Sequence, residues 1–194
     1  HILPENSAKK LEFILGSPEY DNVKKLIASG PAGDFHCLAV AKAAQELGKK
    51  CEIVLRHSRA TTKQIQAIMA MMNLGAQVRM RETDRWFQFT MWWKNFQSRF
   101  FSQSIVPEGG ASGEGVLGYV SAMAELEDQI RSGAIPEPDY LVVPVLTGTS
   151  LVGFEVGKRL LGLPRIRIQG IATRCESQSL RPEMAELAAD ALDI

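Results

Sequence analysis

Hydroxyl side chains and a glycine follow an apolar run at Leu146-Thr147-Gly148-Thr149-Ser150. The run predicts a strand that ends in this turn, with a helix beginning directly after it. Backbone N–H groups at the start of a helix suit a phosphate, and the three hydroxyl groups could add donors. An ordinary strand-to-helix turn with a Ser/Thr cap explains the same residues, and the loop matches neither the Walker nor the GxGxxG pattern. We interpret Thr147, Gly148, Thr149 and Ser150 as a candidate phosphate site.

Small residues also precede a second predicted helix start, in the segment 30–36, which reads Gly-Pro-Ala-Gly-Asp-Phe-His. Small residues let the backbone approach a ligand, and Asp34 could cap the helix. His36 lies in the first turn, where its imidazole could stack on a bound ring or form a hydrogen bond with it. A structural histidine is the alternative, because no carboxylate or second histidine lies at a useful spacing. Both interpretations stay open from the residues alone.

A glycine-rich loop at residues 106–113 lies between a predicted strand and a long predicted helix. Its small residues Gly109, Gly110 and Ser112 could line a pocket, since glycines let the chain come close to a ligand. The loop could equally be a connection between two lobes. The residues favour neither interpretation.

All three tryptophans lie in the aromatic segment from Arg85 to Phe101. On a helix these rings would occupy more than one face, so that one lobe could hardly bury them all. A wide stripe facing the core is one interpretation. We favour a surface for a protein partner formed by Trp86, Trp92, Trp93 and Phe100, because aromatic residues with interspersed arginine are enriched in interface cores.

The overall composition excludes several classes of function. Lysine plus arginine and aspartate plus glutamate number 22 each, so that no global charge attracts nucleic acid or an anionic membrane. No apolar run reaches the length of a membrane span. The three cysteines (Cys37, Cys51 and Cys175) form no CxxC pair and no His/Cys cluster, which argues against a metal site or a disulfide framework. We expect a reducing compartment, the cytoplasm or the mitochondrial matrix.

No targeting segment is visible, and the chain begins with His1 rather than methionine. We expect a processed protein or a fragment, from which any targeting peptide has already been removed.

Strand-like and helix-like segments alternate along the chain. Strands are predicted at 51–55, 77–80, 104–106, 140–145 and 165–172, and helices at 34–47, 61–72, 115–131, 150–161 and 181–194. This alternation is typical of an α/β protein whose mostly parallel strands are covered on both faces.

Four segments in this order resemble the pyridoxal-phosphate enzymes of fold type II, the tryptophan-synthase-β type. The resemblance is to the branch with 1-aminocyclopropane-1-carboxylate deaminase and D-cysteine desulfhydrase, whose segments read GNKxRKLE, GGxQSNH, IPEGGSxxxGxLGY and GSGGT. The matching segments here are residues 6–12, 30–36, 105–119 and 146–150. The resemblance implies two lobes of mostly parallel sheet flanked by helices: a smaller lobe at about 9–110, and a partial larger lobe at 111–194 that residues 1–8 join.

The lysine that binds the cofactor as a Schiff base in that family is replaced here. In the family it follows the asparagine that corresponds to Asn6, whereas this chain has Ser7. A serine hydroxyl cannot form a Schiff base. Lys10 matches the family's second lysine, which contacts the phosphate, and Lys9 points in a different direction from Ser7. The spacing therefore disfavours both lysines as substitutes, without excluding either.

Other departures fall on the same implied site. Asp34 and Phe35 replace a Ser-Asn pair that contacts the substrate carboxylate and the cofactor hydroxyl, and Leu146 and Thr149 replace small residues of the phosphate loop. The family's segment before the lysine is absent, and so is the C-terminal portion that supplies a tyrosine and the group facing the pyridine nitrogen. The implied site comprises catalytic positions Ser7 and His36, cofactor positions Asn6, Lys10, Asp34, Phe35, Thr147, Gly148, Thr149 and Ser150, and substrate-loop positions Gly109, Gly110 and Ser112.

These departures favour a degenerate, non-catalytic homologue that is kept as a structural or partner-binding subunit of a homo-oligomer or larger complex. No cofactor is then expected in this chain. The alternative is a pyridoxal-phosphate lyase or deaminase acting on aminocyclopropane carboxylate, D-cysteine or a similar small amino acid. A third hypothesis is a module that binds a phosphate-bearing small molecule without chemistry. Pyridoxal phosphate is expected if the family function is retained.

Overall fold

A computed structural model of the protein describes residues 5–57, 61–173 and 180–194, with Glu5 and Asn6 described by their backbone alone. Helices and strands alternate along it, as the sequence predicts. The elements are α1 (Glu5–Gly16), β1 (Lys25–Pro31), α2 (Phe35–Glu46), β2 (Lys50–Arg56), α3 (Thr62–Asn73), β3 (Gln77–Arg81), α4 (Asp84–Ser98), β4 (Gln103–Ile105), α5 (Gly113–Arg131), β5 (Tyr140–Val145), α6 (Thr149–Leu160), β6 (Arg167–Ala172) and α7 (Leu180–Leu192). Short 3-10 helices lie at Pro18–Tyr20 and Glu108–Gly110.

The chain divides into two units. The first comprises the residues up to Leu11 together with Leu15–Gly110, and the second comprises Glu12–Ile14 together with Ala111–Ile194. Residues 5–8, which the sequence analysis assigned to the larger lobe, group with the first unit here. The extents of the lobes in the whole protein stay a prediction.

A four-stranded parallel sheet with the order β3-β2-β1-β4 forms the centre of the first unit. Its two middle strands are apolar almost throughout and fully buried over Leu26–Ala28 and Ile53–Leu55. Such continuous apolar strands are typical of parallel sheets that are covered on both faces. The predicted α/β fold class is confirmed.

Local signals in the sequence explain where α2 and α3 begin. The side chain of Asp34 accepts a hydrogen bond from the backbone N–H of His36 at 3.2 Å, which is the predicted cap. At the start of α3, Thr61 and Gln64 form a reciprocal capping box, with distances of 3.3 Å and 2.8 Å. Both helices therefore begin where capping side chains satisfy free N–H groups.

A carboxylate is buried within the sheet of the first unit. Glu52 of β2 is fully buried, and its oxygens contact the side-chain nitrogens of Lys25, Lys94 at 2.9 Å and Arg79 at 3.1 Å. These cations come from β1, α4 and β3. A buried charge of this kind is tolerated because several cations compensate it.

The second unit contains a parallel pair, β5 and β6, together with α5, α6 and α7. Its apolar core includes Val116, Val152, Leu187 and Ala191. Burial alternates along β5: Val143 and Val145 are buried, whereas Tyr140, Val142 and Pro144 are exposed. Among the described residues, one face of β5 is therefore covered and the other is exposed.

A close helix contact in the second unit depends on a glycine. A Cβ atom added to Gly153 of α6 would clash with the Cβ atom of Tyr119 and lie 2.6 Å from the backbone oxygen of Val116, both on α5. We expect Gly153→Ala to lower the free energy of unfolding by about 2 kcal/mol, because backbone atoms must move. Thermal unfolding would show this. Gly16→Ala is the control, since nothing lies within 4 Å of its added Cβ atom; equal effects would contradict the explanation.

None of the helices in the described ranges is long and apolar enough to cross a membrane. Within those ranges no three His, Cys, Asp or Glu side chains group in a way that could hold a metal ion. Cys37 and Cys51 are buried free thiols. Cys175 lies outside the described residues.

Candidate active site

Helix α1 places Ser7 and Lys10 on the same side, because residues three apart on a helix are neighbours. Ser7 is buried. The amine of Lys10 donates a hydrogen bond to the backbone oxygen of Gly109 at 2.7 Å. A long helical side chain leans over the turn that precedes it, which for Lys10 is the turn containing Ser7. The structure thus places an amine on the same side of α1 as Ser7.

His36 lies in the first turn of α2 and is buried. Its Nε2 atom lies 3.0 Å from the backbone oxygen of Pro107. A carbonyl oxygen can only accept, so Nε2 must carry the proton and donate it. In the neutral ring Nδ1 is then an acceptor, and among the described residues this buried atom has no hydrogen-bond partner. A buried acceptor in this state is available to a donor on a ligand.

Burial and neighbouring charges control the protonation of this cluster. Burial lowers the pKa of Lys10 to about 8, although the carboxylate of Asp34 opposes the shift. Burial also lowers the pKa of His36, and Lys10 adds to this effect while Asp34 and the bond to Pro107 oppose it. His36 is therefore neutral at pH 7, and a substantial fraction of the Lys10 amine is unprotonated at pH 8.

Cys37 directly follows His36, but its thiol is unreactive. Its sulfur lies 3.6 Å from Oδ2 of Asp34. Burial, followed by the charge of Asp34 and this hydrogen bond, raises the pKa of the thiol well above its usual value. Since the thiolate is the reactive form, this cysteine is a structural residue.

The glycine-rich loop is anchored by contacts that the sequence analysis missed. Arg56 at the end of β2 pairs with both carboxylate oxygens of Glu108, and its guanidinium lies 4.7 Å from the ring centre of Phe87. Gly109 and Gly110 have φ angles of 65° and 67°, and such positive angles favour glycine. The Arg56–Glu108 pair thus fixes the loop that supplies the acceptors for His36 and Lys10. Two features of the sequence could have indicated this pair: Arg56 directly follows a predicted strand, and Glu108 directly precedes two glycines.

Ser112 caps a helix, which the sequence analysis did not predict. Its hydroxyl oxygen accepts a hydrogen bond from the backbone N–H of Gly115 at 3.2 Å. It is therefore the N-cap of α5, which begins at Gly113. Its interaction with substrate stays a prediction.

In the second unit, Gly148 is the N-cap residue directly before α6, with a φ angle of 86° and no side-chain hydrogen bond to the helix. Because no side chain caps the helix, the N–H groups of its first turn suit an anion. The hydroxyls of Thr147 and Thr149 lie 3.1 Å apart, and Thr149 is fully buried. Ser150 is half-buried. The loop is thus a helix start whose N–H groups suit a phosphate, with the Thr149 hydroxyl already hydrogen-bonded.

The remaining residues of the predicted site and of the predicted partner surface lie outside these clusters. Phe35 is exposed, and the side chain of Asn6 lies outside the described part of the chain. The predicted partner-surface residues Trp86, Trp92, Trp93 and Phe100 are all exposed on α4 or just after it. Their binding of a partner stays a prediction.

Comparison with known protein families identifies the family to which this chain belongs. A family model described as pyridoxal-phosphate dependent enzyme matches residues 10–192. The chain belongs to this family. This confirms the resemblance drawn from four sequence segments, although the replacement of the family's lysine by Ser7 stays an interpretation of the sequence.

Relatives of this chain include 1-aminocyclopropane-1-carboxylate deaminase of Methylobacterium sp. (strain 4-46), at 28% identity over 97% of this chain and 59% of the relative. D-cysteine desulfhydrase of Serratia proteamaculans (strain 568) is 26% identical over 86% of this chain and 52% of the relative. The crystal structure of an ACC deaminase homologue matches with a TM-score of 0.78 and 25% identity, covering 97% of this chain and 57% of that one. The chain thus spans little more than half the length of these relatives.

The two units fit pyridoxal phosphate to different degrees. The uncapped start of α6 suits its phosphate, and the unpartnered Nδ1 atom of His36 is, among the described residues, a buried acceptor for a donor group. Ser7 does not fit, because it offers no amine to the aldehyde. Lys10 offers an amine one turn further along α1. Each unit, taken by itself, therefore offers a group that suits part of the cofactor, whereas Ser7 offers no point of covalent attachment.

Proposed function

We propose that the protein to which this chain belongs is a pyridoxal-phosphate-dependent lyase or deaminase that acts on a small amino acid of the aminocyclopropane-carboxylate or D-cysteine type. The observation that carries the proposal is the cluster of the half-buried Lys10 and Asp34 with the buried His36, in which His36 and Lys10 are held by backbone oxygens of one glycine-rich loop. The relatives named above support the substrate class. When bound, pyridoxal phosphate supplies an aldehyde and an electron-accepting ring.

Lys10 is proposed to replace the missing lysine as the amine that attaches the cofactor. It shares a side of α1 with Ser7. At pH 8 its lowered pKa leaves a substantial fraction unprotonated, which is the nucleophilic form. To hold the cofactor covalently, this amine would give up its hydrogen bond with the backbone oxygen of Gly109, which is 2.7 Å away. Formation of the link would release one water molecule.

His36 is proposed to orient the ligand rather than to exchange protons. Its donated hydrogen bond to Pro107 fixes the ring, and its lowered pKa keeps it neutral. The fixed Nδ1 atom then accepts a hydrogen bond from the ligand. Asp34, whose side chain caps α2, partly balances the charge of Lys10.

Turnover tests the proposal directly. The chain with added pyridoxal phosphate should release ammonia and a keto acid from aminocyclopropane carboxylate or D-cysteine. Lys10→Met should abolish the release, whereas Lys9→Met should preserve it, because Lys9 does not share the side of Ser7. Equal activity in both variants, or none in the wild type with either substrate, would contradict the proposal for this chain.

The phosphate site predicts a separate binding effect. We expect Gly148→Ala to weaken binding of pyridoxal phosphate and inorganic phosphate at least tenfold, because its left-handed backbone would be strained and an added Cβ would lie 2.5 Å from Cγ of Met184. Fluorescence titration measures this. Gly162→Ala is the matched control, since Gly162 also has a positive φ angle but nothing within 4 Å of its added Cβ atom. Equal binding by both variants would exclude the α6 start as the phosphate site.

A second candidate function is a non-catalytic subunit, and Ser7 is the observation that favours it. A buried hydroxyl at the position of the family's lysine removes the attachment point, and the sequence departures at Asp34 and Phe35 alter its surroundings. In this case the wild-type chain binds phosphate compounds without covalent attachment or turnover. Covalent trapping of the cofactor by borohydride separates the two candidates, because only the first predicts a labelled lysine.

A further inference from the structure

A cleft of about 340 Å³ lies between strand β3 and helix α4 of the first unit. Two kinds of side chain predominate in its described lining, cations and aromatic rings. They are Arg79, Arg81, Lys94, Trp86, Phe89 and Trp93, and we call the space that they line the α4 cleft. Sites for small molecules have volumes of about 300–1,000 Å³. The α4 cleft therefore has the size of a binding site for a small ligand.

Strand β3 places its two arginines on one face of the sheet, because side chains alternate between the faces along a strand. Arg79 contacts the carboxylate of Glu52 at 3.1 Å, and Lys94 of α4 contacts the same carboxylate at 2.9 Å. The Nε atom of Arg81 donates a hydrogen bond to the hydroxyl of Thr90 on α4 at 2.9 Å. Both arginines therefore lie on the face of the sheet that α4 covers.

Helix α4 supplies three aromatic rings to the same cleft. Trp86, Phe89 and Trp93 follow one another at spacings of three and four residues, which places them along one side of the helix. These residues are 64%, 54% and 45% exposed. The ring centres of Trp86 and Phe89 lie 6.1 Å apart, in an edge-to-face arrangement that is favourable for aromatic pairs. The rings thus offer ordered, accessible faces on which a planar group can stack.

The charges around the α4 cleft do not balance. Glu52 is the one carboxylate among the described residues that line it. This carboxylate already contacts three cations, Lys25, Lys94 and Arg79. Arg81 adds a fourth, and the hydroxyl to which it donates is neutral. Four positive charges thus converge on one negative charge, and an anionic ligand would offset the excess.

Both arginines are held in place and still have donors for a ligand. The Nε atom of Arg79 lies nearest to Glu52, and the side chain is 54% exposed. Apart from its bond to Thr90, Arg81 makes no side-chain hydrogen bond or ion pair with the described residues. A guanidinium group can donate two parallel hydrogen bonds to the oxygens of a carboxylate or phosphate. The pair is therefore suited to an anion with at least two oxygens.

We propose that the α4 cleft binds a small molecule that combines a planar aromatic ring with a carboxylate or phosphate group. The ring stacks on Trp86 and Trp93, and the anionic group accepts hydrogen bonds from Arg79 and Arg81. The residues of the candidate active site and of the α6 start are not among those that line the cleft. The proposal therefore does not depend on the proposed function.

A single-stranded nucleic acid suits the cleft less well than a small ligand. Such chains bind where cations follow their backbone along a groove, whereas Glu82 and Asp84 lie exposed at the N-terminal end of α4. Trp92 and Phe100 of the predicted partner surface lie outside the cleft. A ligand in the α4 cleft thus occupies only part of that surface.

Isothermal titration calorimetry of the 194-residue chain, without added pyridoxal phosphate, tests the proposal. Adenosine monophosphate carries a ring and a phosphate, and naphthoate carries a ring and a carboxylate. We expect at least one of these probes to bind with a micromolar Kd; binding of the first alone assigns a phosphate ligand, and binding of the second alone a carboxylate ligand. Adenosine and acetate, which carry one feature each, should bind about tenfold more weakly or less, because stacking and ion pairing are then separated.

Two substitutions locate the site. Trp93→Ala and Arg81→Gln should each weaken binding of the probe by about tenfold. Their matched controls are Trp92→Ala and Arg99→Gln, which change exposed residues outside the cleft and should leave the Kd unchanged. Circular dichroism checks the fold, and if Arg81→Gln does not fold, the tryptophan pair decides.

Four results would overturn the proposal. They are the absence of binding by both complete probes, equal binding of adenosine and adenosine monophosphate, equal Kd values for a cleft variant and its matched control, and tighter binding of a single-stranded oligonucleotide than of either probe. Gly148→Ala should leave the Kd of the probe unchanged, because Gly148 belongs to the start of α6. A loss of binding in this variant as large as that in Trp93→Ala would also assign the probe to the wrong site and overturn the proposal.

Discussion

A lysine introduced at position 7 should retain pyridoxal phosphate covalently after reduction with borohydride. The sequence pattern aligns Ser7 with the family's cofactor lysine, and Ser7 is buried on the side of α1 that also carries Lys10. Ser7→Lys therefore places an amine where the family scaffold accommodates one. We expect label at residue 7 to rise from none to near one per chain, as measured by mass spectrometry of the peptide that contains α1.

The control for this variant is Ser7→Met, which adds a long side chain without an amine. It should acquire no label at residue 7 and should unfold at the same denaturant concentration as Ser7→Lys. If Ser7→Lys folds and binds the cofactor but carries no label at residue 7, the register that aligns Ser7 with the family's lysine is wrong.

Glu52→Gln should be among the most destabilising single substitutions in the first unit. The carboxylate is fully buried and contacts Lys25, Lys94 and Arg79. Its neutralisation leaves the three cations without their counter-charge, and breaking a buried ion pair costs about 3–5 kcal/mol. Urea unfolding measures the loss.

Glu46→Gln is the matched control for Glu52→Gln. Glu46 pairs with Lys42 on the exposed side of α2 at 2.5 Å. Exposed pairs contribute less than about 1 kcal/mol. A loss at Glu52 no larger than the loss at Glu46 would show that the buried cluster does not stabilise the fold.

The same carboxylate predicts how stability changes in acid. Burial alone would raise the pKa of Glu52, but hydrogen bonds and charges from Lys25 and Lys94 outweigh it, so that the pKa lies below its ordinary value of 4.5. The unfolded chain then binds more protons than the folded chain as the pH falls below that value. The stabilisation is present above pH 4.5 and is lost in more acidic solution. Glu52→Gln should flatten this acid dependence, and an unchanged slope would contradict it.

The sequence was informative where a signal is local. The cap at Asp34, the turn at Gly148 and the alternation of strands and helices each depend on neighbouring residues, and the structure has them where predicted. The fold class followed because apolar runs of strand length, separated by helices, require a parallel sheet. The family was identified from four such local segments in the correct order.

Contacts between residues that are far apart in the sequence could not be predicted from local sequence patterns. Lys10 meets Gly109 at a sequence distance of 99 residues, and Arg56 meets Glu108 at 52. Nothing near Glu52 in the sequence indicates that cations from three separate elements surround it. The lowered pKa of Lys10 also depends on burial, which only the assembled unit provides.

The composition of the aromatic segment predicted a surface but not which of its rings are buried. Its rings predicted a partner surface, but only the structure shows which ring is turned inward: Phe87 is buried, whereas Trp86, Trp92, Trp93 and Phe100 are exposed. Lys94, which contacts Glu52, and the buried Thr90 lie on the inner side of α4. The spacing of the aromatic residues alone does not distinguish the buried side of the helix from the exposed side.

Peptide mapping of the wild-type chain after incubation with pyridoxal phosphate at pH 8 and borohydride reduction shows directly whether Lys10 attaches the cofactor. We expect one reduced cofactor on Lys10, absent from Lys10→Met and present in Lys9→Met. A wild-type chain that binds the cofactor yet carries no label on Lys10, while Ser7→Lys is labelled at residue 7, would contradict the claim that this chain has its own attachment point and would establish the non-catalytic subunit instead.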